Sequence, residues 1–370
     1  MDLSRKLGPY EIIDEINEGG LGTVYKVVDP DHANGTLALK LLGRGGLQSR
    51  ERDLVLWRRE IEALSAVGHP GIVRLVDFGE EEDRFYLIME YVDGPTLDEY
   101  CRVRRPGIRT AAKLARQVGS ALRCAHERNI IHLDLKPQNI ILAGTPPTPK
   151  ILDFGLSRYV SDVAIDSEQT VSGSLAYMAP EQVVAERPEL GPYTDLYALG
   201  VIIFEMLAGE SPYDTEDAGE LVRRKIAGEH RSLCDVAVGM PSALERIVDR
   251  LLHPDRHGRY STAEGLLHDL DRCLEALDRG DAEFDFPVGE RDVKPVSALN
   301  VRFIGRRAEL DMLAKRYEDC GRGRGQVVLV TGPAGIGKSR LVAEFRELVG
   351  PGGATVVAGK GTRNTRNIPY

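Results

Sequence analysis

At about 100–200 residues per domain, a chain of 370 residues has room for two or three domains, each able to bury a core. Hydrophobic residues make up 42% and charged residues 28%, which excludes wholesale disorder and a membrane-embedded class. The 48 Lys and Arg against 57 Asp and Glu leave a net charge of -9, which argues against a sequence-independent grip on nucleic acid or anionic lipid.

From Tyr10 to Tyr91 the pattern is strand-like: YEIIDEI, TVYKVV, TLALKLL, IVRLVDFG and RFYLIMEYV, interrupted once by the charged, helix-forming ERDLVLWRREIEALSAV. A small antiparallel sheet with one inserted helix is expected. After Gly94 the period shifts to helix, with Leu114, Val118, Ala121, Leu122 and Ala125 on one face, and helices are expected to about Leu277. Residues 278–300 lose periodicity and carry two prolines among many charges, the pattern of an exposed linker. Beyond it RRAELDMLAKRYEDC reads as helix, and QVVLVTGPAGIGKSRLVAEFRELV as strand, glycine-rich loop and helix. Cys101, Cys124, Cys234, Cys273 and Cys320 are scattered without metal-ligand spacing and read as reduced thiols. The most apolar stretch, 196–209, is too short to span a bilayer and contains Glu205, and the N-terminus lacks an apolar signal segment. A cytoplasmic location with no membrane partner is expected.

Two constellations carry chemistry. In the first, INEGGLGTVYK places Gly19 and Gly22 between two strands, where bare backbone N–H groups can approach phosphate oxygens. Lys40 ends the apolar run LALK, and a lysine turned inward there needs an anionic partner, for which Glu60 on the next helix is the candidate. The polar loop HLDLKPQN sits between apolar flanks at 130–142 and is followed by KILDFGL at 150–156. Asn139 and Asp153 there supply the oxygen ligands that Mg²⁺ prefers, and Asp134 a carboxylate that can accept the proton of a hydroxyl nucleophile.

INEGGLGTVY, LALK, the Glu60 helix, HLDLKPQN, DFG at 153–155 and APE at 179–181 stand in protein-kinase order, and over residues 8–277 the chain resembles the eukaryotic-like serine/threonine protein kinases of bacteria. The resemblance implies an α+β fold of two lobes, a β-rich N-lobe over about 8–90 and a helical C-lobe over about 91–277, with ATP in the cleft between them. It implies that Lys40, held by Glu60, contacts the ATP phosphates, and that Asn17, Gly19, Gly22 and Val24 cover the nucleotide. Met89 would back the pocket, and the backbone of Glu90 and Val92 would form the adenine-binding hinge. Asn139 and Asp153 would hold Mg²⁺, Asp134 would be the catalytic base, and Lys136 would stabilise charge on the transferred group. Asp195 would brace the catalytic loop, and Glu181 would pair with Arg259. The partners implied are protein substrates carrying Ser or Thr.

Two positions depart from the family pattern. Asn17 replaces the first glycine of the phosphate loop, a place where Asn enters the left-handed region more readily than most residues. Leu133 replaces the arginine that normally pairs with a phosphorylated activation loop.

The second constellation, GPAGIGKS at 332–339, matches G-x-x-x-x-G-K-[ST] between a strand and a helix, the setting of a phosphate-binding P-loop. Gly332, Gly335 and Gly337 would cradle phosphates, Lys338 would contact the β/γ-phosphates and Ser339 the Mg²⁺. With FIGRRAELDML at 303–313, residues 301–370 resemble the N-terminal part of a regulatory P-loop ATPase, an incomplete α/β domain. The arginines from Arg302 to Arg324 interleave with acids and read as solvated surface, so no direct nucleic-acid binding is expected. Either the chain is a piece of a longer kinase–ATPase signalling protein with downstream effector domains, or the gene product is truncated. An active kinase coupled to a nucleotide-binding module is the leading expectation. The alternatives are a catalytically silent kinase scaffold and an input domain for a nucleotide switch.

Overall fold

The computed structural model describes residues 6–19, 22–30, 35–42, 50–81, 84–154, 174–184, 190–237, 239–292 and 306–321, with 325, 327–331, 341–342 and 345 beyond. The chain divides into two compact units, residues 1–294 and 295–370.

The first unit begins with β1 (Lys6–Leu7), β2 (Tyr10–Gly19), β3 (Gly22–Val28) and β4 (Thr36–Leu42), then α1 (Arg50–Ala66), β5 (Leu75–Glu81) and β6 (Arg84–Glu90). They form one antiparallel sheet in the order β1-β2-β3-β4-β6-β5. The period of two along β4 decides which side each residue serves. Leu37, Leu39 and Leu41 join Tyr25, Val27, Tyr86 and Ile88 in a small core on one face. Lys40 therefore faces the other side, with its ladder partners Val24 and Leu87.

The helical lobe follows with α2 (Leu97–Val103), α3 (Ile108–His126), the hairpin of β7 (Ile140–Ala143) and β8 (Thr148–Ile151), α4 (Pro180–Val184) and α5 (Pro192–Ala208), then α6 (Ala218–Ala227), α7 (Leu233–Val236), α8 (Ser242–Leu251) and α9 (Ala263–Asp278). Thr96 and Glu99 close a capping box that starts α2. Pro192 opens α5, and Gly209 at φ 77° ends it. Apolar on every side, α5 is the buried axis against which α3 and α8 pack, and one continuous core runs from it to Met89 and the end of α1. Ile72 bridges Ile151, and Val73 N–H donates to the Ile151 carbonyl at 3.0 Å, so the β7–β8 hairpin is tied directly to the chain leading into β5.

Residues 278–300, expected as an exposed linker, are in part packed structure. Phe284 is buried in the main core, Phe286 stacks on it at 6.1 Å, and Val288 packs beside them. Asp292 accepts from Ser261 N–H at 3.0 Å and pairs with Arg250 at 2.9 Å; Gly289 N–H donates to Asp269 at 2.6 Å. Phe284, Phe286 and Val288 fall at every second position of an extended strap, with Asp285 and Pro287 between them, a pattern that the surrounding charges and the proline hide from a helical reading.

In the second unit α10 (Arg307–Gly321) forms the expected helix. Residues 327–331, read as a strand, pair with no other strand among the described residues, and Val327 and Leu329 stand exposed. Gly332, Gly335, Gly337, Lys338 and Ser339 lie outside the described residues.

Candidate active site

Lys40 is 4% exposed and Glu60 0%, and α1 delivers Glu60 Oε1 to within 3.3 Å of Lys40 Nζ. Asp153 is closer, with Oδ1 2.6 Å from the same nitrogen. Burial disfavours the Lys40 ammonium, but the two facing carboxylates, Asp153 the stronger, outweigh it and hold its pKa above the ordinary lysine value. Burial works against the Asp153 carboxylate too, and Lys40 overcomes it and keeps its pKa low. Glu60 receives the weaker contact, its Oε2 has no hydrogen-bond partner among the described residues, and burial pushes it up to about 7 against the pull of Lys40.

The loop from His132 to Asn139 is built around Asp195 at the start of α5. Both its carboxylate oxygens are used: Oδ2 accepts from His132 N–H and Oδ1 from Leu133 N–H, each at 2.8 Å, and His126 Nε2 adds a third bond at 2.8 Å. Burial opposes this carboxylate, and the bonds from His126 and His132 outweigh it and lower its pKa. His132 Nε2 meets the Leu152 carbonyl at 2.7 Å; since a carbonyl only accepts, Nε2 carries the proton and Nδ1 accepts from Asp134 N–H at 3.3 Å. Leu133 at φ 67° and Asp153 at φ 57° both hold left-handed backbone, conformations that cost about 1–3 kcal/mol each and persist only where the surroundings enforce them.

Asp134 is held by two neighbours. Lys136 Nζ donates to its Oδ2 at 2.8 Å and at the same time to Ser174 Oγ at 3.0 Å. Asn139 Nδ2 donates to the Asp134 carbonyl at 2.8 Å and to Oδ2 at 3.2 Å. Asp134 Oδ1 is left without a protein partner among the described residues. Leu152 N–H donates to the Asn139 carbonyl at 2.9 Å and so joins the loop to the Asp153 segment. The free oxygens Oδ1 of Asn139 and Oδ2 of Asp153 accept no protein hydrogen bond among the described residues, a pair of hard oxygen donors such as Mg²⁺ takes beside phosphates.

Around this centre, Met89 is buried in the core that reaches α1. Glu90 is fixed by N–H donation to the Arg74 carbonyl at 3.0 Å and by Lys150 at 2.5 Å. Val92 N–H donates to no group among the described residues and is available to a ligand. Gly22 at φ 144° passes so close to β4 that a Cβ there would lie 2.0 Å from the Leu41 carbonyl oxygen, so only glycine fits. Gly19 pairs with Gly22 at the end of the β2–β3 ladder. Asn17 pairs with Val24 in that ladder, next to a bulge, and keeps ordinary extended backbone; the left-handed freedom expected of it is not used.

Residues 10–270 match the family model of the protein kinase domain. The chain belongs to the protein kinase family. Residues 302–370 match the model of an AAA ATPase domain, so a P-loop module follows the kinase unit. The kinase chain is 31% identical over 294 residues to the probable serine/threonine-protein kinase PknB of Lactococcus lactis, covering 79% of this chain and 46% of that protein. It is 32% identical over 293 residues to serine/threonine-protein kinase PrkC of Bacillus subtilis, covering 79% and 44%. To human serine/threonine-protein kinase ULK3 it is 34% identical over 269 residues, covering 71% and 55%. The chain thus spans about half the length of the curated relatives it matches. Kinases of this family use ATP.

Sequence reasoning did not single out His126, Gln182 or Ser174. Gln182 Nε2 donates to the Leu133 carbonyl at 3.0 Å, and its Oε1 accepts from Ala179 N–H at 2.9 Å. Both groups it joins are backbone, which leaves no side-chain signature; Ser174 lies in GSLAYMAPE at 173–181, the run that ends in the APE motif, and could have been found from it.

Proposed function

We propose that this chain is a serine/threonine protein kinase, transferring the γ-phosphoryl group of ATP to Ser or Thr hydroxyls of protein substrates in signalling, and coupled to a nucleotide-binding module. The observation that carries the reading is Lys136, whose ammonium is bonded at once to Asp134 and Ser174 beside the open Oδ1 of Asp134.

Asp134 Oδ1 is the atom that would take the proton of the acceptor hydroxyl as its oxygen bonds to the γ-phosphorus and the bond from that phosphorus to the β–γ bridging oxygen breaks, ADP leaving, while Asn139 and Lys136 keep the carboxylate turned to that task. Lys136 balances negative charge that develops on the transferred group. Lys40, drawn to one place by Asp153 and Glu60, presents a fixed cation to the phosphates. Asn17, Gly19, Gly22 and Val24 would cover the nucleotide, with Met89 behind it and the backbone of Glu90 and Val92 along the base. Asn139 and Asp153 would hold Mg²⁺, which supplies charge neutralisation on the phosphate oxygens when bound. In the second unit Gly332, Gly335, Gly337, Lys338 and Ser339 would bind a further nucleotide with its Mg²⁺. Protein substrates are the partners and the setting is cytoplasmic; among the described residues no helix is long and apolar enough to cross a membrane.

The test is phosphate transfer from radiolabelled ATP to a basic protein by the purified chain. Asp134→Asn is expected to lower turnover by about 10²- to 10⁴-fold while nucleotide still binds. Lys40→Met should abolish transfer, and Lys338→Ala should leave it nearly intact. Unchanged turnover in the Asp134 variant, or ATP hydrolysis that survives Lys40→Met and vanishes with Lys338→Ala, would overturn the assignment.

A further inference from the structure

α3 and α9 pack closely where Gly119 faces Leu267: a Cβ on that glycine would stand 3.3 Å from Leu267 Cδ2. A cavity of about 220 Å³ opens beside this contact, lined by Arg116, Ser120 and Arg123 of α3, by Leu267 and His268 of α9, and by Arg291 of the strap. None of these residues belongs to the ATP cleft. On a chain of net charge -9, three arginines around one small cavity call for a reason.

The two acids of the lining, Glu264 and Asp271, do not use up these cations. Arg116 gives Asp271 only its Nε, and Arg123 gives Glu264 its Nη1 at 2.7 Å, with Nε 3.9 Å from Glu127. Both guanidiniums keep further N–H groups, and half-exposed pairs of this kind are worth about 0–1 kcal/mol, so an anion of higher charge can draw the arginines to itself. Arg291 has no hydrogen bond or ion pair among the described residues. Its neighbour fixes its place: Asp292 is held by Ser261 and Arg250 and lies against Gly265, where a Cβ would come within 2.8 Å of Asp292 Cα.

Ser120 adds a neutral donor. Gly71 N–H donates to His69 Nδ1 at 3.0 Å, so the ring proton sits on Nε2 and is given to Ser120 Oγ at 3.2 Å. Burial and the charge of Arg123 lower the His69 pKa and keep this neutral form. The Ser120 hydroxyl proton then has no acceptor among the described residues, and His268 makes no hydrogen bond among them. Three arginines against two acids leave the lining with a formal charge of +1 and donors in excess of acceptors.

We propose that this cavity is a binding site for a phosphate-type dianion, whose oxygens take N–H groups of Arg116, Arg123 and Arg291 and the hydroxyl of Ser120. A carboxylate brings one charge and two oxygens, which the acids of the lining already supply. A phosphate or phosphate monoester brings about 1.5 to 2 negative charges and at least three acceptor oxygens, and arginine forks suit it. No step of phosphoryl transfer uses these residues, so the site stands apart from the catalytic reading.

The full chain is titrated with inorganic phosphate, O-phospho-L-serine and L-serine at constant ionic strength, and amide hydrogen exchange is read over residues 289–292, which lie in neither nucleotide site. Both phosphate compounds are expected to slow exchange there saturably, and L-serine to leave it unchanged. Arg291→Gln, at an exposed position with no partner to strand, should raise the half-protecting concentration about tenfold or more, and Arg123→Gln should do the same. Tighter protection by O-phospho-L-serine assigns the site to a phosphorylated side chain, and equal or tighter protection by inorganic phosphate assigns it to the free ion. Absence of saturable protection by either compound overturns the proposal, as does protection that L-serine matches. Protection that both variants keep at the wild-type concentration overturns it too, and Arg291→Gln decides alone if Arg123→Gln does not fold.

Discussion

Arg259 meets Glu181 head-on, Nη1 and Nη2 each 2.9 Å from one of the two carboxylate oxygens, across 78 residues of sequence. The guanidinium also donates to the carbonyls of His253 at 2.7 Å and Pro254 at 3.0 Å, while Glu181 accepts from Thr194 at 3.0 Å. The segment that begins at Ser174 is therefore anchored at its far end to the middle of the helical lobe. A buried pair of this kind adds little relative to an apolar filling, but losing one partner strands the other. Arg259→Ala is expected to cost about 3–5 kcal/mol in urea unfolding. Arg259→Lys should recover only part of that, because a single ammonium cannot serve both carboxylate oxygens and two carbonyls.

A pH dependence follows from Glu60. Its folded pKa, raised by burial to about 7, lies above the ordinary glutamate value of about 4.3. A group shifted in this direction contributes stability at low pH that is lost as pH rises from the ordinary value through about 7. Glu60→Gln cannot ionise, so relative to wild type its melting temperature should climb between pH 5 and pH 8. Parallel curves over that window would contradict the assignment.

Leu133 bears on regulation. Its N–H is held by Asp195 and its carbonyl by Gln182, so the loop is fixed here by backbone contacts with no cation waiting for a phosphate at this position. Ser157, Ser161, Ser167, Thr170 and Ser172 lie outside the described residues. Alanine at all five is expected to leave most of the phosphate-transfer rate. An inactive variant restored by acidic substitutions would count against this.

The strap offers a stability test remote from the cleft. Asp292 is the acceptor for Ser261 N–H and the partner of Arg250. Asp292→Ala is expected to destabilise the kinase unit by about 1–3 kcal/mol for the stranded donor, and amide exchange at Ser261 should quicken. Unchanged exchange there would show that the strap does not hold the turn before α9.

Much of the site was legible in the sequence because its chemistry is written in short segments. HLDLKPQN alone contains Asp134, Lys136 and Asn139, and the three meet through bonds within one loop. The inward lysine of LALK called for an acid, and Glu60 supplies it. What the sequence did not rank was the order of partners: Asp153 holds Lys40 more closely than Glu60 does, a result of where β4, α1 and the β7–β8 hairpin come to rest. Nor did it reveal the contacts that run through backbone atoms. Gln182 to Leu133, Lys225 to Ala176 and Met178, and Asp292 to Ser261 all end on a carbonyl or an N–H, which every residue possesses and no side-chain pattern marks. The strap was misjudged for a related reason. Its three apolar residues are too few to define a period, and only the grooves of the folded helical lobe give them somewhere to be buried. Residue chemistry and local order thus determined what reacts in this protein; tertiary packing alone decided how firmly each reacting group is held, because that depends on the burial and backbone contacts of distant segments.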